Sequence, residues 1–291
     1  MTSPSLPPLA VIAGPTASGK SAFALRMAET RRGVIINADA SQCYRDLSIL
    51  SARPSPAETA RAPHRLYGFL EAEAPLGAAG WAALARREIA RAHDQGLLPI
   101  LVGGTGLYLR TLLQGIAPVP EIDPDVRAVV RALDTAALAQ ALAREDPAMA
   151  ARLHPNDTQR MARALEVKRS TGVSLSDHQA QLSGGLLGTV ALEPAVVEID
   201  RDELGRRCDA RFDTMLADGG LDEAARLFAM NLDASLPVMK AIGVPPLIAH
   251  LRGECTLEAA ILRAKLDTRR YAKRQRTWFR NQTPDWPRLQ P

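Results

Sequence analysis

Cysteine is rare in this chain, and its three copies, Cys43, Cys208 and Cys255, lie far apart with no C-x-x-C pair. That spacing excludes a disulfide framework and a cysteine zinc site. Buried thiols in a reducing cytosol are the reading it favours. Histidine is also scarce, and His154 has no second His or Cys at ligand spacing, which argues against a metal role. No run reaches about 18 apolar residues, which excludes a membrane-spanning helix. Met1 to Pro8 has neither a basic start nor a long apolar stretch, so no signal peptide is expected. These absences describe a cytoplasmic protein without a membrane partner, and a monomer is expected.

Lysine is nearly absent too, with five in 291 residues. What charge there is sits unevenly. The formal net charge is +4, yet Arg263, Lys265, Arg269, Arg270, Lys273, Arg274, Arg276 and Arg280 face one acid, Asp267. That segment carries +7 and leaves the remaining 273 residues at −3. Focused basicity of this kind points to a polyanionic partner rather than to general solubility. The segment reads as a helix with Arg269, Lys273, Arg276 and Arg280 on one face. No acid follows Asp267, so internal salt bridges do not account for the charge. Tyr271 and Trp278 fall on another face, as core anchors.

Apolar residues make up 46% and charged residues 23%, enough for a sizeable core. Leu9 to Ala13, Val34 to Ile36 and Leu97 to Val102 read as buried strands, and Ala22 to Glu29, Trp81 to His93 and Leu107 to Leu113 as helices. Strands alternating with helices predict a parallel sheet flanked by helices. Residues 51–64 read as a loop with a short helical piece. The alternation stops after Ala117-Pro118-Val119-Pro120. Residues 124–180 read as helices almost throughout, a strand returns at Val196 to Ile199, and helices follow to Arg280. The expected fold is α/β: a phosphate-loop-type core at 1–121 and 187–291, interrupted by an all-helical insertion at 122–186.

Gly14-Pro15-Thr16-Ala17-Ser18-Gly19-Lys20-Ser21 fits G-x-x-x-x-G-K-[ST] between a predicted strand and a predicted helix. Glycines let the backbone curl so that successive N–H groups face one anion, and the helix adds its positive end. Lys20 supplies a point charge, and Ser21 can hold Mg2+. The pattern predicts a bound phosphate or diphosphate without saying which molecule carries it. Asp39, at the end of the second strand, lies where α/β sheets bind ligands; it takes a proton from a nucleophile, or it is a solvated turn residue or cap. Gly103-Gly104-Thr105-Gly106 ends the third strand with no Asp for Mg2+, which weakens a hydrolase reading and leaves room for a bulky substrate, with Thr105 as a hydrogen-bond donor. Asn156 is expected to cap the next helix with Gln159 reaching back. Arg160 and Arg163 share a face without an acid between them, and meet phosphates or stay solvated.

Taken together these segments resemble the tRNA dimethylallyltransferase family, from Gly14 to Arg280. The carriers are the loop, Asn37-Ala-Asp39 with Gln42 and Tyr44, and Val102 to Tyr108. Further carriers are Asp146-Pro147, His154 to Asp157 with Gln159-Arg160 and Arg163 to Glu166, and Thr268-Arg269, Ala272 to Gln275 and Thr277 to Arg280. The resemblance implies transfer of a dimethylallyl group from its diphosphate, with Mg2+, to the adenine 3′ of the anticodon in tRNA. It implies Asp39 as the base, Thr16 near the reacting carbon and Arg211 on the diphosphate. RNA contacts are implied at Asp39, Ala40, Ser41, Gln42 and Thr105, and in the insertion at Arg127, Gln159, Arg160 and Arg163. Lys273, Arg274 and Arg276 complete them. The chain departs from the family pattern at Ala40 (usually Ser), at Leu50-Ser51-Ala52-Arg53-Pro54 (usually Gly-Thr-Ala-Lys-Pro) and at Gly243-Val244-Pro245-Pro246. A kinase with the same loop, prenylation of a free adenine nucleotide, and a non-catalytic RNA-binding protein are the alternatives; none accounts for the loop, the insertion and the basic helix together.

Overall fold

The computed structural model describes residues 6–291, so most of the segment behind the signal-peptide reading lies outside the described residues. Strand β1 (Pro8–Ala13) is buried from Leu9 onward and opens through the phosphate loop into α1 (Lys20–Arg31). Five consecutive buried residues suit a central parallel strand covered on both faces. Strand β2 (Gly33–Asn37) follows, then α2 (Pro56–Arg61), where Ser55 and Glu58 form a reciprocal cap, and the short β3 (His64–Arg65). Helix α3 (Ala78–Asp94), strand β4 (Leu98–Gly103) and helix α4 (Gly106–Gln114) complete the first stretch.

Next come β5 (Gly115–Ile116), α5 (Pro124–Arg131), α6 (Thr135–Glu145), α7 (Pro147–Arg152), α8 (Thr158–Thr171), α9 (Leu175–Gln179) and β6 (Ser183–Gly184). The chain then returns through β7 (Ala191–Val197), α10 (Arg201–Ala217), α11 (Gly220–Ala229), α12 (Val244–Leu251), α13 (Leu257–Gln282) and β8 (Arg288–Leu289). Strand β7 starts earlier than its apolar run predicts, at Ala191 rather than Val196, and ends at Val197. Neither β3 nor β8 has a signal in the sequence pattern.

The six-stranded sheet runs β3-β2-β4-β1-β7-β8 with every pairing parallel. Opposite Ala13 at the end of β1 stand Gly103 of β4 and Val196 of β7. Three strand ends thus meet at the phosphate loop. Two compact units result: the chain up to Leu112 with Leu187–Pro291, and Leu113–Leu186. The second unit starts at Leu113 rather than 122. It is not purely helical, since β5 and β6 pair antiparallel within it, Gly115 opposite Gly184. Its own core gathers Val130, Leu138, Leu142, Met149, Met161 and Leu165. In the first unit a second cluster, including Leu47, Leu50, Phe212, Leu227, Leu247 and Ala264, joins α10–α13.

Candidate active site

The phosphate loop is bent as its glycines require. Gly14 has φ +152° and a Cβ there would lie 2.8 Å from the Val197 carbonyl, while Gly19 has φ +90°. Lys20 donates from Nζ to the Pro15 carbonyl at 3.2 Å. Burial pulls its ammonium down to about 8; the Asp39 charge opposes this and Arg211 adds to it. The Ser18 hydroxyl is wholly buried and has no partner among the described residues. Ser21 at the start of α1 is exposed.

Asp39 is fixed by an Asx arrangement. Its N–H donates to Asn37 Oδ1 at 2.8 Å and its Oδ1 accepts from Ser41 N at 3.0 Å. Buried Asn37 is itself held, its Nδ2 donating to the Asp39 and Leu66 carbonyls at 2.9 Å each. One carboxylate oxygen of Asp39 therefore has a backbone partner, and the other has no hydrogen bond among the described residues. Ala40 N donates to Thr105 Oγ1 at 3.1 Å, so the Thr105 oxygen acts as an acceptor within the protein. Gln42 commits its Nε2 to the Ser51 and Ala52 carbonyls, at 3.0 and 2.8 Å.

The glycine turn after β4 permits close approach. A Cβ on Gly103 would lie 2.1 Å from the Ala38 carbonyl oxygen, one on Gly104 2.1 Å from Gln275 Nε2, and one on Gly106 2.4 Å from the Trp278 ring. Gln275 of α13 is buried and bridges two motifs: Oε1 accepts from Thr16 N at 2.8 Å and Nε2 donates to the Gly104 carbonyl at 2.9 Å. No local pattern signals this role, because both partners are remote along the chain. Arg211 of α10 hydrogen-bonds the Thr16 hydroxyl. Burial lowers its pKa, against the pull of Cys208 and Asp39.

Of these residues, Thr16, Asp39, Ser41, Ser51 and Arg211 line a cavity of about 250 Å³. Its polar lining includes Thr16, Asp39, Ser41, Ser51, Arg211, Lys240, Thr268, Tyr271 and Arg274, and its apolar lining includes Leu50, Phe212, Met215 and Ile242. Tyr271 is therefore no core anchor. Its phenol is pushed up by burial and by the Asp39 charge, against a hydrogen bond with Thr105. Trp278 is half-buried over Gly106. The buried face of α13 is Ala260, Ala264, Thr268, Ala272, Gln275 and Phe279.

The basic helix is only partly unpaired. Arg263 and Arg270 reach Asp267, Lys265 reaches Asp213, and Arg269 lies 3.5 Å from Asp209. Acids from α10, invisible in a local reading, supply two of those partners. Arg274 stacks over Tyr271. Lys273 and Arg280 are exposed and Arg276 half-exposed.

The second unit holds the other expected RNA contacts as a group of its own. Gln159 and Arg160 are exposed on α8, and the Arg163 guanidinium arm is too. The cap of α8 is Asp157, not Asn156: its Oδ1 accepts from Arg160 N at 3.3 Å, and Gln159 does not reach back. Both arginines do have acids, Asp157 at 3.2 Å and Glu166 at 3.8 Å, one turn away on either side. Buried Glu166 also draws Arg131 to 2.9 Å and Arg127 to 4.0 Å. Three guanidinium groups on one carboxylate leave a surplus of positive charge facing solvent.

Residues 42–282 match the family described as IPP transferase, and residues 7–71 that described as isopentenyl transferase. A tRNA dimethylallyltransferase of Sphingopyxis alaskensis is 55% identical over 282 residues, spanning 96% of this chain and 92% of the relative. That of Zymomonas mobilis is 50% identical, spanning 97% and 91%. Among solved structures, the full-length tRNA isopentenylpyrophosphate transferase of Bacillus halodurans superposes with TM-score 0.72 at 33% identity, over 97% of this chain and 89% of that one. A eukaryotic dimethylallyltransferase acting on tRNA gives TM-score 0.85 at 27% identity, over 98% and 74%.

Proposed function

This chain belongs to the IPP transferase family, the tRNA dimethylallyltransferases, and we propose how its residues divide the work of prenylating tRNA. It transfers a prenyl group to tRNA. The donor is dimethylallyl diphosphate and the acceptor the N6 amine of the adenine 3′ of the anticodon. The observation that carries the assignment is a single cavity lined both by Asp39 and by the Thr16–Arg211 pair. A base for the acceptor and a cation for the leaving group must flank one reacting carbon, and this cavity offers both.

The diphosphate lies on the loop, against its amides, the buried Ser18 hydroxyl and Lys20. N6 forms a bond to the allylic carbon as that carbon's bond to diphosphate oxygen breaks. The electron pair leaves with the diphosphate, and the proton passes from N6 to Asp39. Negative charge grows on the leaving oxygen, where Arg211 and Lys20 stabilise it most. An adenine amine is a weak nucleophile, so a carboxylate that orients it and takes its proton raises the rate by about 10²–10⁴.

The residues fit Mg2+ held mainly by the donor. No group of three His, Cys, Asp or Glu able to cage a metal occurs among the described residues. The exposed Ser21 hydroxyl, water and phosphate oxygens are the ligand set this ion accepts. Bound there, it neutralises diphosphate charge. No helix among the described residues is long and apolar enough to cross a membrane. The enzyme acts as a monomer in the cytoplasm, on tRNA rather than a free nucleotide.

Asp39→Asn tests the central assignment. It is expected to bind donor and tRNA nearly as wild type and to transfer at least about a hundredfold more slowly in a single turnover. Rescue by added Mg2+, or a rate near wild type, refutes the base role.

A further inference from the structure

One member of the apolar wall of the cavity, Leu50, sits on a short loop. It lines the cavity beside Phe212, Met215 and Ile242. The backbone of that loop is held by a carboxylate. Glu223 of α11 is 1% exposed. Its Oε1 accepts from Ser48 N at 2.7 Å, from the Ser48 hydroxyl at 2.9 Å and from Ile49 N at 2.9 Å. Its Oε2 accepts from Leu50 N at 2.8 Å. Three successive amides and a hydroxyl thus compensate a buried charge, a strong and directional arrangement. From the other side Gln42 holds the carbonyls of Ser51 and Ala52.

The side chain of Leu50 packs closely against two glycines. Gly220 lies one turn before Glu223 on α11, and a Cβ there would stand 3.0 Å from Leu50 Cδ2. Gly243 is the second support: its Cβ would stand 3.7 Å from Leu50 Cδ2 and 3.0 Å from a Phe212 ring carbon. The first turn of α11 thus meets Leu50 twice, holding its backbone through Glu223 and lying against its side chain at Gly220.

We propose that Leu50 determines which donors are accepted, by closing the hydrocarbon end of the cavity to chains longer than five carbons, with Glu223 as the positioning residue that keeps it there. This rests on the reading of the cavity as the prenyl-donor site. The diphosphate end is pinned by Lys20, Arg211 and the loop amides. A second isoprene unit must then extend away from the loop into the apolar wall. The Leu50 part of that wall resists displacement, because its backbone is clamped from both sides.

The test is kcat/KM for dimethylallyl and geranyl diphosphates with tRNA, in wild type, Leu50→Ala, Leu50→Val and Glu223→Gln, beside the melting temperature of each. Wild type should favour the five-carbon donor. Leu50→Ala should narrow that preference by about tenfold or more, the scale at which pockets discriminate apolar groups, mainly by raising the geranyl value. Leu50→Val should fall between. Glu223→Gln should narrow the preference too, although Leu50 itself is intact. A merely structural role lowers the melting temperature and the active fraction while leaving the ratio of the two donors unchanged, and that result overturns the proposal. Variants that shift only KM for tRNA place the base, not the prenyl chain, against Leu50, and also overturn it while the transfer reading stands. Failure of wild type to label tRNA from dimethylallyl diphosphate refutes the reading of the site itself.

Discussion

Lys20 carries a cost that its proposed function would offset. Its ammonium is desolvated in the loop and its pKa falls to about 8. The unfolded chain holds this proton up to its ordinary value of about 10.4. Between those values the folded state binds fewer protons, so stability from this group rises with pH from about 8 to about 10.4, and below about 8 a constant penalty remains. A diphosphate held on the loop, as proposed, would reverse the balance, because it favours the charged amine. Donor affinity should be flat between about pH 7 and about pH 8, above the titration of the donor's own terminal phosphate, and fall by up to about tenfold per unit above about pH 8. Lys20→Met removes both terms: at pH 7 it should melt no lower than wild type yet bind donor roughly ten- to a hundredfold more weakly. Calorimetric donor titration and thermal melts check this, and unchanged donor affinity in a folded variant refutes the diphosphate assignment. The phosphate loop with Lys20 is legible as a local pattern, whereas the local pattern leaves Asp39 open between a base and a turn residue, and only the family resemblance names a role for it. Gln275 and Glu223 are not, since their partners lie 259 residues away at Thr16 and 175 away at Ser48.

Helix α13 is the element on which a buried link to the phosphate loop and an exposed basic face meet. Its buried side reaches the phosphate loop through Gln275, and its outer side carries Lys273, Arg276 and Arg280. Replacing Lys273, Arg274 and Arg276 by Gln should weaken tRNA binding and reduce the slope of log K against log[salt] by roughly 0.7–0.9 for each phosphate these residues neutralise. For Lys273→Gln with Arg276→Gln alone, donor affinity should stay within about twofold, since neither lines the cavity, whereas Arg274 does. Filter binding across a salt series reads both quantities, and an unchanged slope means that the charge is only a solvated face. Long elements such as α3, α8 and α13 are legible because their apolar spacing is sustained. β3 and β8 have two residues each, and only the neighbouring strand makes them strands. The start of β7 is hidden because Glu193 and Pro194 interrupt its apolar run, and only Ala195–Val197 are buried.

At the scale of the molecule, the chain leaves the core after Leu112 and returns at Leu187 without contributing a strand to the six-stranded sheet. The alternation of strands and helices is the chain's α/β signature, and its interruption marks the insertion. The exact boundary is not legible, because α4 runs on to Gln114 and the β5–β6 pair follows it without a hydrophobic signal. That pair brings Gly115 opposite Gly184. Paired residues in an antiparallel ladder lie about 4.5–5.5 Å apart, so a two-glycine linker can replace residues 116–183 without stretching the chain. The second unit has its own core, and the cavity is lined wholly by residues of the first. The excised protein should therefore keep its sheet and bind dimethylallyl diphosphate within a few-fold of wild type. It loses the group Arg127, Gln159, Arg160 and Arg163. If that group holds phosphates, tRNA affinity should fall by at least about tenfold, each phosphate contact being a share of a salt-dependent total, and the remaining salt slope should be that of α13 alone. Circular dichroism, donor titration and tRNA binding at two salt concentrations decide the matter. Full tRNA affinity in the excised chain removes the insertion from RNA recognition. Failure to bind donor in a folded chain shows instead that the first unit does not complete the donor site by itself.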